Sequence, residues 1–150
     1  MNFKKGKLYS LSNALWGDNI YKIGNTGQSM KKRLSTIHTS LYINCEIVYE
    51  TTDLYCCKYW EKVLENMLVS YRVNPKREFY YIDKEDIKIL FDSINEFNKI
   101  LDTSEKLFQY IQENDPEYLN KKIYCKSSNS SSNDKPNRKK RKGIWIDTSY

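Results

Sequence analysis

Residues 7–12 (KLYSLS) alternate apolar and polar positions, and residues 20–24 (IYKIG) resume the alternation after a connection rich in Asn, Gly and Asp. The pair predicts a β-hairpin. A polar turn, NTGQS, follows, and over residues 30–38 Met30, Leu34 and Ile37 recur at helical spacing, with Ser29 placed to cap them. Residues 44–51, rich in Ile, Val and Tyr, predict a third strand. Over 54–71, Cys57, Trp60, Leu64, Met67, Leu68 and Tyr71 fall on one arc at about 100° per residue, which predicts a helix with Asp53 as its cap. A Pro-containing turn leads to 78–82 (EFYYI), a fourth strand. Asp83 then caps a long amphipathic helix with Ile87, Leu90, Phe91, Ile94, Phe97 and Leu101 on one face, and a shorter helix follows over 105–112.

This order of strands and helices predicts a small α/β sandwich with helices on its sheet and a C-terminal helical extension. The expected organisation is a domain over 1–82, an amphipathic helical extension over 83–118 and a tail over 119–150. SSNSSSND followed by KPNRKKRKG has almost nothing to bury, so the tail is expected to be disordered.

Charge sharpens this division. The 150 residues carry 25 Lys and Arg against 19 Asp and Glu, a net +6 that is unevenly spread. Residues 1–82 hold 12 basic and 7 acidic side chains, residues 83–120 hold 4 and 10, and residues 121–150 hold 9 and 2. The middle segment therefore repels a polyanion, while both flanks suit one. No apolar run approaches the roughly 20 residues of a membrane span, and no signal-peptide pattern opens the sequence, so an intracellular protein (cytoplasm or nucleus of a host cell) is expected. Cys45, Cys56, Cys57 and Cys125 form no C-x-x-C pair and His38 is the only histidine, which argues against a four-ligand zinc site and for reduced thiols.

KLYSLSN, YKIGNTGQSMKKRL, a Glu in the following long helix and the closing REFYYI stand in an order and spacing that resemble the GIY-YIG nuclease superfamily. The narrower resemblance is to its phage T5 open-reading-frame-172 branch, common in phages and large DNA viruses. It covers roughly residues 6–82 and implies a mainly antiparallel sheet flanked by helices. It also implies binding to DNA, double-stranded in the usual case, and cleavage of phosphodiester bonds with a divalent metal ion, Mg²⁺ or Mn²⁺. Tyr9 matches the family's first tyrosine, Gly24 the motif glycine, Arg33 the arginine that contacts the scissile phosphate, and Glu61 the metal ligand. Lys22 stands where the second tyrosine would be, as the phage branch characteristically has it. Adjacent Tyr21 cannot replace that ring, because a one-residue offset on a strand points to the opposite face. His38 lies near the position where relatives carry a residue that assists the base, and Asn74 near that of a final Asn.

The residue chemistry is compatible with this. Arg33 presents a fork suited to phosphate oxygens, and neighbouring Lys31 and Lys32 add point charges. Each has a bland counterpart: KKR is commonly a solvated helix face, Glu61 a solvated carboxylate, Tyr9 a core residue. Glu78 is expected to pair with Arg72 or Lys22, or to join Glu61 in a cleft. The tail's PNRKKRK, with Lys139, Lys140 and Arg141, reads equally as a polyanion arm or a nuclear-import address. Two functions remain at this level, a metal-dependent endonuclease and an inactive DNA-binding module. A third, weaker reading is an interaction protein that docks a partner through the 83–101 helix.

Overall fold

The computed structural model describes residues 2–41 and 43–127, of which 122–127 are described only as backbone. Five antiparallel strands form one sheet: β1 (Lys5–Ser12), β2 (Ile20–Thr26), β3 (Glu46–Glu50), β4 (Leu54–Tyr55) and β5 (Phe79–Tyr81). The strand order is β3-β1-β2-β5, and β4 pairs with the start of β1. With α1 (Met30–Leu41), α2 (Cys57–Met67), α3 (Lys84–Ile100), α4 (Ser104–Asn114) and α5 (Pro116–Ser127), the fold is the mixed α/β class expected.

The predicted hairpin is the centre of the sheet, with Tyr9 opposite Gly24 and Leu11 opposite Lys22. A short 3₁₀ turn, Ala14–Trp16, opens the connection, and Asn13 caps it by accepting from the Leu15 amide at 2.8 Å. Trp16 packs edge-on against Phe79, 4.9 Å between ring centres, tying the turn to β5.

Because side chains alternate along a strand, β1 feeds two cores. Tyr9 and Leu11 point towards α1 and meet Ile37, Leu34 and Cys45. Leu8 points the other way, into a larger core with Ile23, Trp60, Leu64, Ile87, Phe91, Ile94, Leu107 and Ile111. Helices cover both faces, so β1 is buried almost continuously instead of on every second residue. The apolar face of α3 lies in the same core as the sheet, and Phe97 meets Trp60 edge-on at 5.6 Å.

Three local departures from the sequence pattern have physical causes. The segment expected as one helix over 54–71 begins as β4, because the Cys56 amide donates to the Lys4 carbonyl at 3.0 Å and extends the sheet. Cys56, left-handed with φ 51°, then turns the chain into α2, so Cys56 and not Asp53 occupies the cap. That helix ends at Met67 and tightens into a 3₁₀ turn, Val69–Tyr71, which leaves Met67 and Tyr71 of the predicted arc exposed. Asp83 does stand at the N-cap of α3, where its backbone carbonyl accepts from the amides of Asp86 and Ile87 at 3.1 and 3.2 Å, but its side chain makes no cap bond.

The third departure is α5, which runs through residues 116–127 and so enters the stretch assigned to the tail. Pro116 suits its first turn, Tyr118 stacks edge-on with Tyr59 at 5.1 Å, and Leu119 is buried. The remainder of that stretch, with Lys139, Lys140 and Arg141, lies outside the described residues. Among the described residues no helix is long and apolar enough to cross a membrane.

Candidate active site

The site is organised around Gly24. The Tyr9 ring lies across it so closely that a Cβ at position 24 would fall 2.7 Å from the phenolic oxygen, and Tyr9 is itself fully buried. Only glycine leaves that space. Arg33 Nε donates to Tyr9 Oη at 3.0 Å, and its guanidinium carbon stands 5.8 Å from the ring centre. Burial pushes the Tyr9 phenol above its ordinary pKa, Arg33 opposes this through its bond and charge, and Glu78 and Glu61 add to the upward push. Tyr9 is therefore a neutral phenol at physiological pH.

Arg33 is placed by the start of α1, where Ser29 acts as the expected cap: its Oγ accepts from the Lys32 amide at 3.3 Å and its carbonyl from the Arg33 amide at 3.0 Å. The first turn carries Lys31, Lys32 and Arg33 with no acidic residue. Cations at the positive end of a helix dipole oppose it, and an anion bound there would relieve the conflict. An open pocket of about 360 Å³ lies at this end of α1, lined by Asn25, Thr26, Gly27, Gln28, Arg33 and Thr36.

On the other side of β2, Asn25 turns towards α2 and its amide donates to Glu61 Oε2. The Cys57 thiol meets Asn25 Oδ1 at 3.6 Å, which leaves the amide nitrogen facing Glu61. Burial first, then the negative charge of Glu78, pushes the Glu61 carboxyl up to about 7, against the stabilising Asn25 bond. Glu61, Glu65 and Glu78 each bring a carboxylate oxygen within 4.8 Å of the others. Lys22, on the Tyr9 side of β2, closes an ion pair with Glu78 at 2.6 Å, while Arg72 pairs with Glu65 at 3.5 Å. Glu78 thus does both things considered for it, and Arg72 takes a different partner.

The model of the T5orf172 domain matches residues 6–95. The chain belongs to the T5orf172 domain family. The match runs from β1 into α3 and includes Tyr9, Lys22, Arg33, Glu61 and Glu78; the family points to a nuclease-like or DNA-binding domain. No curated protein and no solved structure matches the chain.

In this T5orf172 domain the sequence candidates separate into two groups. Tyr9, Lys22, Arg33 and Glu61 come together around β2, and Tyr21, as its offset implies, faces away into the larger core. His38 does not join them: its Nε2 accepts from the Cys45 amide at 2.9 Å, fastening the end of α1 to the segment before β3. Asn74 shapes a turn, its side chain accepting from the Lys76 amide at 2.9 Å and its carbonyl from the Arg77 amide at 3.0 Å. Sequence reasoning missed Asn25 and Glu65. Glu65 carried a usable signal, since it follows Glu61 by one helical turn on the same face. Asn25 is opposite Leu8, whose apolar character marks the face that α2 covers.

Proposed function

We propose that this T5orf172 domain is a GIY-YIG-type protein that binds double-stranded DNA and cleaves its phosphodiester bonds with Mg²⁺ or Mn²⁺. The observation that carries the reading is the Arg33–Tyr9 hydrogen bond across Gly24, with the carboxylates of Glu61, Glu65 and Glu78 clustered beside the same strand. Arg33 spends Nε on Tyr9, which fixes the guanidinium plane and leaves both terminal nitrogens for phosphate oxygens. Tyr9 accepts that bond and keeps its own proton, so it serves as a donor that orients a water or a phosphate oxygen. Lys22, held by Glu78, adds positive charge beside them.

Glu61, Glu65 and Glu78 fit a hard divalent cation, because the donor set is all carboxylate oxygen and burial, with the charge of Glu78 next, already holds Glu61 up at about 7. Bound by these residues, such an ion supplies a water of lowered pKa and countercharge for the phosphate.

A second reading, a DNA-binding module without catalysis, is favoured by one observation: Lys22 stands where the wider GIY-YIG superfamily has a tyrosine, and its ammonium is committed to Glu78. Nicking of supercoiled plasmid with Mg²⁺ or Mn²⁺ separates the two. Cleavage by the wild type, reduced about 10²- to 10³-fold by Arg33→Ala and abolished by Glu61→Ala, is the expected result for an endonuclease. Absence of cleavage in the wild type and in Lys22→Tyr, with DNA binding intact, would establish the module.

A further inference from the structure

The cations of this chain divide by whether the fold neutralises them. Lys62 pairs with Asp115 at 2.8 Å, Lys88 with Asp92 at 2.7 Å, Lys99 with Glu96 at 2.6 Å and Lys106 with Asp102 at 2.7 Å. Among the described residues Lys76 and Arg77 have no carboxylate partner, although Glu78 is their neighbour in the chain; its carboxylate turns to Lys22 instead. The two cations are exposed, yet the turn that carries them is built. Asn74 takes the amides of both, Arg72 Nη1 donates to the Pro75 carbonyl at 3.3 Å, and the Val73 amide reaches the Phe79 carbonyl at 3.0 Å. Beside this turn lies a pocket of about 250 Å³ lined by Lys22, Leu41, Lys76, Arg77, Glu78 and Phe79.

Leu41 is the last residue of α1, whereas the pocket at Arg33 opens at its first turn. Eight residues of helix separate Arg33 from Leu41, a rise of roughly 12 Å, or between three and four base-pair steps of about 3.4 Å. We infer that the 74–77 turn, beside the end of α1, forms a second phosphate subsite, engaging the backbone of the same DNA several nucleotides from the phosphate held by Arg33. Arg77 offers a fork and Lys76 a point charge to the phosphate, and Leu41 with Phe79 gives an apolar floor for the adjoining sugar. The inference rests on the DNA binding proposed above and assigns to it two residues, Lys76 and Arg77, outside the basic first turn of α1.

The test is the salt dependence of duplex binding by the full chain, read by fluorescence anisotropy in EDTA on two duplexes of unrelated sequence. Replacing both cations (Lys76→Ala with Arg77→Ala) is expected to lower the log–log salt slope by about 1.8, at about 0.9 per lost contact, equally on both duplexes. The charge-preserving exchange (Lys76→Arg with Arg77→Lys) should retain the wild-type slope. Removing two neutralised cations of α3 (Lys88→Ala with Lys99→Ala) should leave it unchanged. A wild-type slope in the Lys76, Arg77 double alanine variant overturns the subsite while leaving DNA binding in place. So does an equal fall in the α3 variant, which would make the slope a measure of net charge. A wild type with no salt-dependent affinity removes both the subsite and the reading beneath it.

Discussion

The two faces of the sheet are built on opposite terms. On one, α1 rests on a thin layer of Tyr9, Leu11, Ile37 and Cys45, and its first turn exposes cations that no acidic residue of that turn offsets. On the other, α2 to α5 share a thick core, and Lys88 and Lys99 of α3 and Lys106 of α4 are matched to carboxylates three or four residues away. A solvated helix face neutralises itself locally. A face that leaves its cations uncompensated at the positive end of a helix carries a cost that a bound polyanion would remove. The difference supports the proposed DNA contact on the sheet's thinner side, with the acidic side given over to the core.

The strongest way to break this comparison is to cut into the thick core. Phe91 is buried between α3 and the sheet, and Phe91→Ala is expected to cost about 3–5 kcal/mol of unfolding free energy. Duplex affinity of the folded protein should be unchanged, as measured by anisotropy below the melting transition. If the variant melts like the wild type, the thick core does not include α3.

A smaller effect on stability, but a larger one on the site, is expected from Gly24→Ala. The added methyl would meet the Tyr9 hydroxyl at 2.7 Å, and the buried ring has little room to yield. Overpacking of this kind costs about 1–3 kcal/mol and should move Tyr9 off Arg33. Nicking should fall while the salt slope of binding is kept; loss of both together would place Gly24 in the general fold instead of the site.

The smallest effect concerns pH. The Glu61 carboxyl, held at about 7 in the folded chain against an ordinary value of 4.5, binds its proton more tightly folded than unfolded. Its contribution to stability is fully present below pH 4.5 and is lost as pH rises from there through 7. Glu61 is partly exposed, so the loss is on the order of 1 kcal/mol after screening. Chemical denaturation in EDTA should show the decline in the wild type and a flatter profile in Glu61→Gln. Identical profiles would show that burial and the charge of Glu78 do not hold Glu61 above its ordinary value.

Much of this was legible from local pattern. The hairpin, α1 and α3 follow from periodicity, and Tyr9, Arg33 and Glu61 meet as the motif order implies. What was hidden depends on partners far away in sequence. Asn25 bonds Glu61 across 36 residues, and nothing near Asn25 announces it. Strand β4 forms because β1 has a free edge there, a fact of the sheet and not of residues 54–55. The helix α5 has weak apolar periodicity of its own and exists where Tyr118 and Leu119 find Tyr59 and the core. His38 was misplaced because spacing from Arg33 says where the residue sits on α1, not which ring nitrogen is already engaged.

The uneven layering of the sheet also sets the order in which the molecule opens. Amide protons of α2, which packs in the thick core, are expected to exchange with solvent through the largest opening of the fold. Those of α1, held by a thin apolar layer and by the His38 tether, have a cheaper route through detachment of that one helix. The segment that carries Arg33 is thus the one able to leave and return while the remaining structure stays closed.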